Sequence, residues 1–246
     1  MGIIDVQNVS MRFNLAREKT DTIKEYVLKM LRRQLSFSEF YALRNVSFSI
    51  EKGESVALIG SNGSGKSTML KLISGVMYPT QGSIEVNGTI APLIELGAGF
   101  DMDLTARENI FLNGAILGYD RSFMQEHFDE IIDFAELHDF VDVPIKNYSS
   151  GMIARLGFSI ATQVKADILV VDEVLAVGDF IFQQKCHHRM EELLSGGTTL
   201  LFVSHNAQQV QQLCKRAVWL DNGVLMADGD TAEVCEQYRI AMESRV

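Results

Sequence analysis

Three features of the sequence predict an α/β fold. Residues 55–59, 167–172 and 198–203 are short apolar runs, which is typical of strands buried on both faces of a parallel sheet. Stretches with helical spacing of apolar residues separate these runs. Residues 60–68 fit the pattern G-x-x-x-x-G-K-[ST] and stand between a predicted strand and a predicted helix. A loop in that position is the phosphate-binding element of a large class of α/β proteins.

The composition is that of an ordinary globular protein. With 246 residues, of which 47% are hydrophobic and 22% charged, the chain can bury a sizeable core. Its net charge of −10 argues against a broad nucleic-acid-binding surface. The cysteines Cys186, Cys214 and Cys235 lack disulfide or zinc spacing and are predicted to be free thiols. No apolar run approaches the roughly 20 residues of a membrane span, so work at a membrane would require a partner's span.

The N-terminal region predicts two strands with a different kind of segment between them. Residues 3–13 alternate in character and predict an edge strand, and residues 41–50 predict a second strand. Between them, residues 20–35 predict an amphipathic helix that is locally basic and begins with a capping box at Thr22 and Glu25. Such a helix can lie at a membrane interface or against a partner, or it can be a surface helix packed on its own core.

The remaining chain predicts a helical insertion and a closing hairpin. Residues 83–96 predict a hairpin around Asn87-Gly88, and residues 100–164 predict a helical subdomain set into the α/β core. Residues 216–230 predict a second hairpin, and residues 231–243 a final helix. Because no repeat or proline-rich linker divides the chain, residues 1–246 are predicted to form one domain.

The phosphate loop explains its own chemistry. Its glycines allow successive N–H groups to point inward and form a nest for anionic phosphates at a helix N-terminus. We expect Lys66 to reach the β- and γ-phosphates and the Ser67 hydroxyl to ligate Mg²⁺. An ordinary glycine-serine turn is the alternative, but it would have to meet every constraint of the pattern by coincidence.

Polar residues at the ends of two later strands indicate hydrolysis. Asp172 ends a buried strand, where a carboxylate can hold Mg²⁺ directly or through water. Glu173 follows it and can orient and polarise a water for attack on the γ-phosphate. His205 follows the next strand, on the ligand side of an open α/β sheet, and can hold that glutamate and water in place.

A second anion site is predicted before a later helix. Ser149, Ser150 and Gly151 precede a helical run that is expected to start near Ile153, although Ser-Ser-Gly before a helix is more often a simple cap. Asp179 is a loop carboxylate shortly after the acidic pair, and in isolation it would be a helix cap.

Taken together, these motifs resemble the nucleotide-binding subunit of an ABC transporter. The order matches, with Walker A at 60–68, the signature at 148–152, Walker B at 168–173, the D-loop around 175–179 and the switch histidine at 205. The resemblance implies a phosphate-loop NTPase with a RecA-like core, an antiparallel β piece and an inserted helical subdomain. It also implies a head-to-tail homodimer in which each ATP lies between Walker A of one protomer and the signature of the other.

The resemblance assigns roles residue by residue. Lys66, Glu173 and His205 match catalytic positions, and Ser67, Asp172 and Glu95 match Mg²⁺ positions, with Glu95 standing where the family usually has glutamine. Phe13 matches the aromatic residue that stacks on adenine, with Tyr41 as the alternative. The remaining positions that the resemblance assigns to ATP binding are Gly60, Ser61, Asn62, Gly63, Ser64, Gly65, Lys66, Ser67, Thr68, Ser149, Ser150, Gly151 and Asp179. The signature departs from Leu-Ser-Gly-Gly-Gln at Tyr148, Ser150 and Met152.

Two further stretches narrow the resemblance to exporters of lipid-linked polysaccharides. Residues 95–100 and 104–109 look like those of the group that handles O-antigen, capsule and teichoic acid chains, as does the basic segment at 20–35. This resemblance implies a bacterial ATPase, held at the cytoplasmic face of the inner membrane by a polytopic permease, with the glycan near residues 20–35. It also leads us to expect no carbohydrate-binding domain in the chain. The alternatives are a small-molecule transporter ATPase, an ABC ATPase acting on DNA or ribosomes, and a soluble phosphate-loop kinase.

Overall fold

Two sheets and a set of helices make up the part of the chain that the structure describes. The computed structural model describes residues 2–16, 37–93, 97, 99–163, 166–172, 178–204 and 207–245. The strands are β1 (Ile4–Ala16), β2 (Phe37–Ile50), β3 (Ser55–Ile59), β4 (Gln81–Val86), β5 (Ile90–Leu93), β6 (Ile168–Asp172), β7 (Thr199–Val203), β8 (Arg216–Asp221) and β9 (Val224–Asp230). The α-helices are α1 (Lys66–Ile73), α2 (Ala106–Ile116), α3 (Arg121–Glu126), α4 (Phe128–Ala135), α5 (Ser150–Gln163), α6 (Phe180–Ser195), α7 (Ala207–Leu213) and α8 (Thr231–Glu243), and short 3₁₀ turns lie at His138–Phe140 and Ile145–Asn147.

The central strands of the larger sheet are buried on both faces. Its order is β5-β6-β7-β3-β8-β9, and every neighbouring pair is parallel except β8 with β9. Val56 and Leu58 of β3 face the smaller sheet, whereas Ala57 and Ile59 face a cluster built largely from helices α5 to α8. Two apolar faces explain why these strands read as unbroken apolar runs, and the strands predicted at 55–59, 167–172 and 198–203 are confirmed.

The smaller sheet corrects the prediction for the first strand. Its order is β2-β1-β4, so β1 is the central strand and the expectation of an edge strand was wrong. Ile4 is paired on one side with Ile50 of β2 and on the other with Val86 of β4. Alternation of apolar and polar residues reports that one face is buried; it does not report how many neighbours the strand has.

The hairpin predicted around Asn87-Gly88 was also wrong. β4 belongs to the smaller sheet and β5 to the larger one, so the chain changes sheets at this point. The Asn87 N–H donates to the Ile3 carbonyl at 2.8 Å, and two residues later the Thr89 N–H donates to the Asp167 carboxylate at 2.9 Å. A Cβ on Gly88 would lie 2.8 Å from the Asp167 Cβ, so the glycine permits the crossing.

Helices α2 to α5 enclose a separate apolar cluster. Leu156 and Ile160 of α5 belong to that cluster, while Phe158 on the other side of the helix packs beneath the larger sheet. The same helix therefore joins the helical region to the sheet. It begins at Ser150, one turn before the predicted start near Ile153. The fold class is confirmed as an α/β core with an antiparallel sheet and inserted helices.

The predictions for the C-terminal hairpin and helix are confirmed. β8 and β9 form the predicted hairpin around Asn222 and Gly223, both of which have left-handed backbone angles as a tight hairpin turn requires. α8 covers residues 231–243 as predicted. The helix predicted at 20–35 falls outside the described residues. Within the described chain, no helix combines the length and apolar character needed to cross a membrane.

Candidate nucleotide-binding site

The phosphate loop lies between β3 and α1 and is shaped by three glycines. Gly60, Gly63 and Gly65 all have positive φ angles, of 150°, 78° and 106°. A Cβ on Gly60 would lie 2.2 Å from the Leu220 carbonyl oxygen, and one on Gly65 would lie 2.5 Å from the Ala42 carbonyl oxygen. Only glycine fits these two positions, because β8 and β2 press against the back of the loop. Around Gly63, by contrast, no atom lies within 4 Å of an added Cβ, which leaves the front of the loop open.

Lys66 begins α1 and is held over the loop. Its Nζ donates to the carbonyl oxygens of Gly60 at 2.8 Å and Ser61 at 2.9 Å, and the residue is only 7% exposed. A buried ammonium on a flexible stem stands where loop N–H groups and a helix N-terminus converge. This arrangement fits a polyphosphate, whose negative charge complements both the ammonium and the helix.

A pocket of about 350 Å³ opens in front of the loop. It is large enough for part of a small ligand such as a nucleotide. Its lining combines an aromatic end, a phosphate-binding floor and one carboxylate: Phe13, Phe40, Ala42, Asn62, Gly63, Gly65, Lys66, Ser67, Thr68, Asp172 and Val203. The structure thus brings Phe13, six of the nine loop positions and Asp172 to one site.

The aromatic end of the pocket contains a residue that the sequence analysis missed. Phe13 of β1 and Phe40 of β2 are directly opposite each other, so their side chains lie on the same face of the sheet. Tyr41, the alternative to Phe13, is next to Phe40 and therefore on the other face, where the Arg44 guanidinium lies 5.1 Å from its ring centroid. Tyr41 does not line the pocket. The signal that identifies Phe40 is its register with Phe13.

Two of the three predicted magnesium ligands share the pocket. Ser67 follows Lys66 at the start of α1, and Asp172 ends β6. A hydroxyl and one carboxylate beside a phosphate site fit Mg²⁺, which is usually bound by one or two carboxylates together with substrate phosphates. Glu95, the third predicted ligand, lies outside the described residues, as do the catalytic candidates Glu173 and His205.

The signature segment stands apart from this pocket. Ser149 and Ser150 are exposed, and Ser149 Oγ accepts from the Met152 N–H at 3.2 Å at the start of α5. Ser149, Ser150 and Gly151 do not line the pocket that contains Lys66. Tyr148 is buried in the helical cluster, and its hydroxyl donates to the Phe140 carbonyl at 2.7 Å. Burial raises the pKa of Tyr148 to about 12, so the phenol stays protonated and keeps donating.

Asp179 lies at the start of α6 and caps that helix. One carboxylate oxygen accepts from the Phe182 N–H at 3.0 Å, and the other accepts from Arg155 at 2.7 Å. The helix N–H first and the Arg155 charge after it hold the pKa of Asp179 below its usual value. Asp179 does not line the pocket that contains Lys66. Its predicted contact with ATP therefore stays a prediction.

A comparison with family models decides the family. The ABC transporter model matches residues 43–176, which is more than half of the chain. The chain belongs to the ABC transporter family. Residues of its phosphate loop and Asp172 line one pocket. The chain is an ABC-type ATPase, an interpretation favoured over that of a phosphate-loop kinase.

Individual relatives narrow the similarity further. The chain is 46% identical over 242 residues to the O-antigen export system ATP-binding protein RfbB of Klebsiella pneumoniae, covering 98% of each protein. It is 43% identical over 235 residues to the teichoic acids export ATP-binding protein TagH of Listeria innocua, covering 96% of this chain and 69% of that protein.

Solved structures support the fold. An ATP-binding subunit of an ABC transporter aligns with a TM-score of 0.75 at 23% identity, over 96% of this chain and 92% of that one. The cassette MJ0796, in a dimeric post-hydrolysis state with ADP and Pi, aligns with a TM-score of 0.72 at 21% identity, over 93% and 98%.

Proposed function

We propose that this ATPase drives export of a lipid-linked polysaccharide across the cytoplasmic membrane through a separate transmembrane subunit. The observation that carries the proposal is the similarity to RfbB, an O-antigen export ATP-binding protein, over 98% of both chains. TagH, a teichoic acids export ATP-binding protein, supports the same substrate class. The protein would then act as a peripheral subunit on the cytoplasmic side of a bacterial membrane.

The residues of the pocket divide the work of ATP hydrolysis among them. Phe13 and Phe40 bind the base by stacking. The N–H groups of the loop and the Lys66 ammonium bind the phosphates and stabilise the charge that develops during phosphoryl transfer. Ser67 and Asp172 would hold Mg²⁺, with Glu95 as a further candidate. Bound there, the metal would supply positive charge that offsets the negative charge of the phosphates.

The attack on the γ-phosphate needs a positioned water. We assign its orientation and polarisation to Glu173, which follows Asp172 in the chain, and we assign His205 to holding that arrangement. Ser149 of the partner subunit would complete the site in a head-to-tail dimer. That geometry accounts for the exposure of Ser149 and its separation from the pocket of its own chain. In the same dimer, Asp179 would contact the partner subunit close to Ser149 of its own chain.

Trapping the dimer tests the hydrolytic mechanism. We expect Glu173→Gln to bind ATP but not cleave it, so that a dimer accumulates with ATP and is seen by light scattering. The control is Lys66→Ala in the Glu173→Gln background, which should stay monomeric because the phosphates lose their buried ammonium. An ATP-independent monomer in Glu173→Gln, with ATP binding intact, would contradict the dimeric mechanism.

Charge reversal in the basic segment tests the polysaccharide substrate. We expect the double variant Arg32→Glu, Arg33→Glu to impair surface polysaccharide in cells while the purified ATPase keeps its basal rate. The matched control is Lys52→Glu with Lys215→Glu, two exposed lysines whose reversal changes the net charge by the same amount. Export that is equal in both double variants would remove the role of residues 20–35. Co-purification with a membrane subunit but no glycolipid would favour a small-molecule transporter.

A further inference from the structure

Arg155 joins three separate parts of the chain. It lies on α5, less than two turns after Ser149, and its side chain is 19% exposed. Nη1 donates to Glu136 at 2.9 Å and Nη2 donates to Asp179 at 2.7 Å. The guanidinium carbon also lies 4.8 Å from the centroid of the Phe182 ring on α6. A single planar cation therefore holds the end of α4, the signature helix and the start of α6.

The loop before α6 is shaped to receive this guanidinium. Gly178 has φ of 73°, and a Cβ there would lie 3.3 Å from Arg155 Nε and 3.2 Å from Phe182. The following carboxylate, Asp179, divides its two oxygens between the helix cap and Arg155. Losing Arg155 would leave the cap in place but remove the contact that fixes the carboxylate relative to α5.

Glu136, the second carboxylate that Arg155 contacts, is bound by two cations. Glu136 stands just after α4 with a left-handed φ of 59°, and it accepts from Arg155 and from Lys185 of α6 at 3.1 Å. Lys185 also donates to the Phe134 carbonyl at 3.0 Å. The Glu136 carboxylate is therefore bound by two cations, Arg155 and Lys185. Among the described side chains, the Asp179 carboxylate is bound by one, that of Arg155. This difference makes the two carboxylates a matched pair for an experiment.

We infer that Arg155 is a positioning residue that makes the signature segment and Asp179 move as one unit toward the partner subunit. α5 begins at Ser150, and Ser149 caps its first turn, so a rigid helix connects the signature to Arg155. A guanidinium suits this role because its fork can bond two carboxylates at once, which an ammonium does less well. The inference rests on the proposed head-to-tail dimer, in which both elements face the second copy.

Turnover and ATP affinity in matched variants test the inference. We expect Arg155→Gln to lower the ATPase turnover by about tenfold, within the range typical of coupling between sites, with the KM for ATP changed less than twofold. Glu136→Gln should keep turnover within twofold of the wild type, because Arg155 still holds Asp179. Asp179→Asn keeps a capping side chain but loses the ion pair. Asp179→Asn should lower the ATPase turnover as much as Arg155→Gln does. The double variant Arg155→Gln, Asp179→Asn should lose no more turnover than either single variant.

Several outcomes would overturn the role of Arg155. The role would be refuted by unchanged turnover in Arg155→Gln or by an equal loss of turnover in Glu136→Gln. It would also be refuted if the losses of turnover multiply in the double variant Arg155→Gln, Asp179→Asn. Hydrogen exchange in the ATP-free chain provides a readout that needs no dimer: residues 178–184 should lose protection in Arg155→Gln and keep it in Glu136→Gln. If wild-type protein fails to dimerise or hydrolyse ATP, the proposed function fails, and the exchange result still supports or refutes the link between α5 and Asp179.

Discussion

Replacing Gly65 by alanine tests whether the phosphate loop depends on contacts behind it. Gly65 has φ of 106°, and an added Cβ would lie 2.5 Å from the Ala42 carbonyl oxygen and 2.8 Å from Leu43 Cδ2. Leu43 is completely buried, so it cannot swing away without disturbing the core between the two sheets. Gly63→Ala is the matched control, because Gly63 is also left-handed but has no atom within 4 Å of an added Cβ.

The two substitutions should differ by the cost of that overlap. A left-handed alanine costs about 1–2 kcal/mol, and this is the whole expected cost at Gly63. Overpacking against a buried side chain and backbone adds about 1–3 kcal/mol at Gly65. We therefore expect Gly65→Ala to lower the free energy of unfolding by about 3 kcal/mol in total. For a chain of this size that corresponds to a fall in Tm of about 6–12 °C.

Urea unfolding without nucleotide, followed by circular dichroism, measures the difference directly. Gly65→Ala should unfold at a clearly lower urea concentration than Gly63→Ala, with similar slopes for both variants. Equal destabilisation by the two substitutions would refute the reasoning, because the left-handed backbone would then account for everything and the contact with β2 for nothing.

Two further predictions concern the aromatic end of the pocket and the C-terminal anchor. Phe40→Ala should raise the Kd for ATP about tenfold by loss of ring stacking, while Tyr41→Ala on the opposite face should change it less than twofold, as measured by calorimetric titration. The Arg245 guanidinium, 2.6 Å from Asp221, holds the pKa of that carboxyl below its ordinary 3.8. Because the pKa of Asp221 is lower in the folded state than in the unfolded state, the ion pair stabilises the fold fully above the unfolded pKa of 3.8. That stabilisation is lost as the pH falls through the folded pKa. The Tm difference between wild type and Asp221→Asn should therefore shrink below pH 3.8, and a difference that stays constant with pH would argue against this pair.

Local patterns were sufficient where burial and chemistry are local. The parallel strands β3, β6 and β7 were predictable because both of their faces are buried, so every residue in a run such as 168–171 is apolar. The phosphate loop was predictable because the backbone angles of Gly60, Gly63 and Gly65 and the role of Lys66 are encoded in nine consecutive residues. The final hairpin was predictable from Asn222-Gly223 for the same reason.

Long-range pairing was not predictable from those patterns. Asn87-Gly88 is a common hairpin sequence, but here it carries the chain from one sheet to another, because β4 finds β1 and β5 finds β6. Phe40 was missed because its pairing with Phe13 depends on the register of two strands separated by twenty residues of chain. The contact between Arg155 and Asp179 depends in the same way on how α5 and α6 pack.

The position of β3 in the larger sheet sets an order of events during synthesis. β3 lies between β7 and β8, with Ser55 opposite Leu200 and Ile59 opposite Trp219. The N-terminal antiparallel strands can pair while the chain is still emerging, since β1, β2 and β4 are all within the first 86 residues. The phosphate-loop strand must wait for most of the remaining chain, as non-local parallel pairing is slow to form. A nascent chain that ends before β8 therefore contains the complete phosphate-loop sequence but lacks a neighbouring strand that holds the loop in shape.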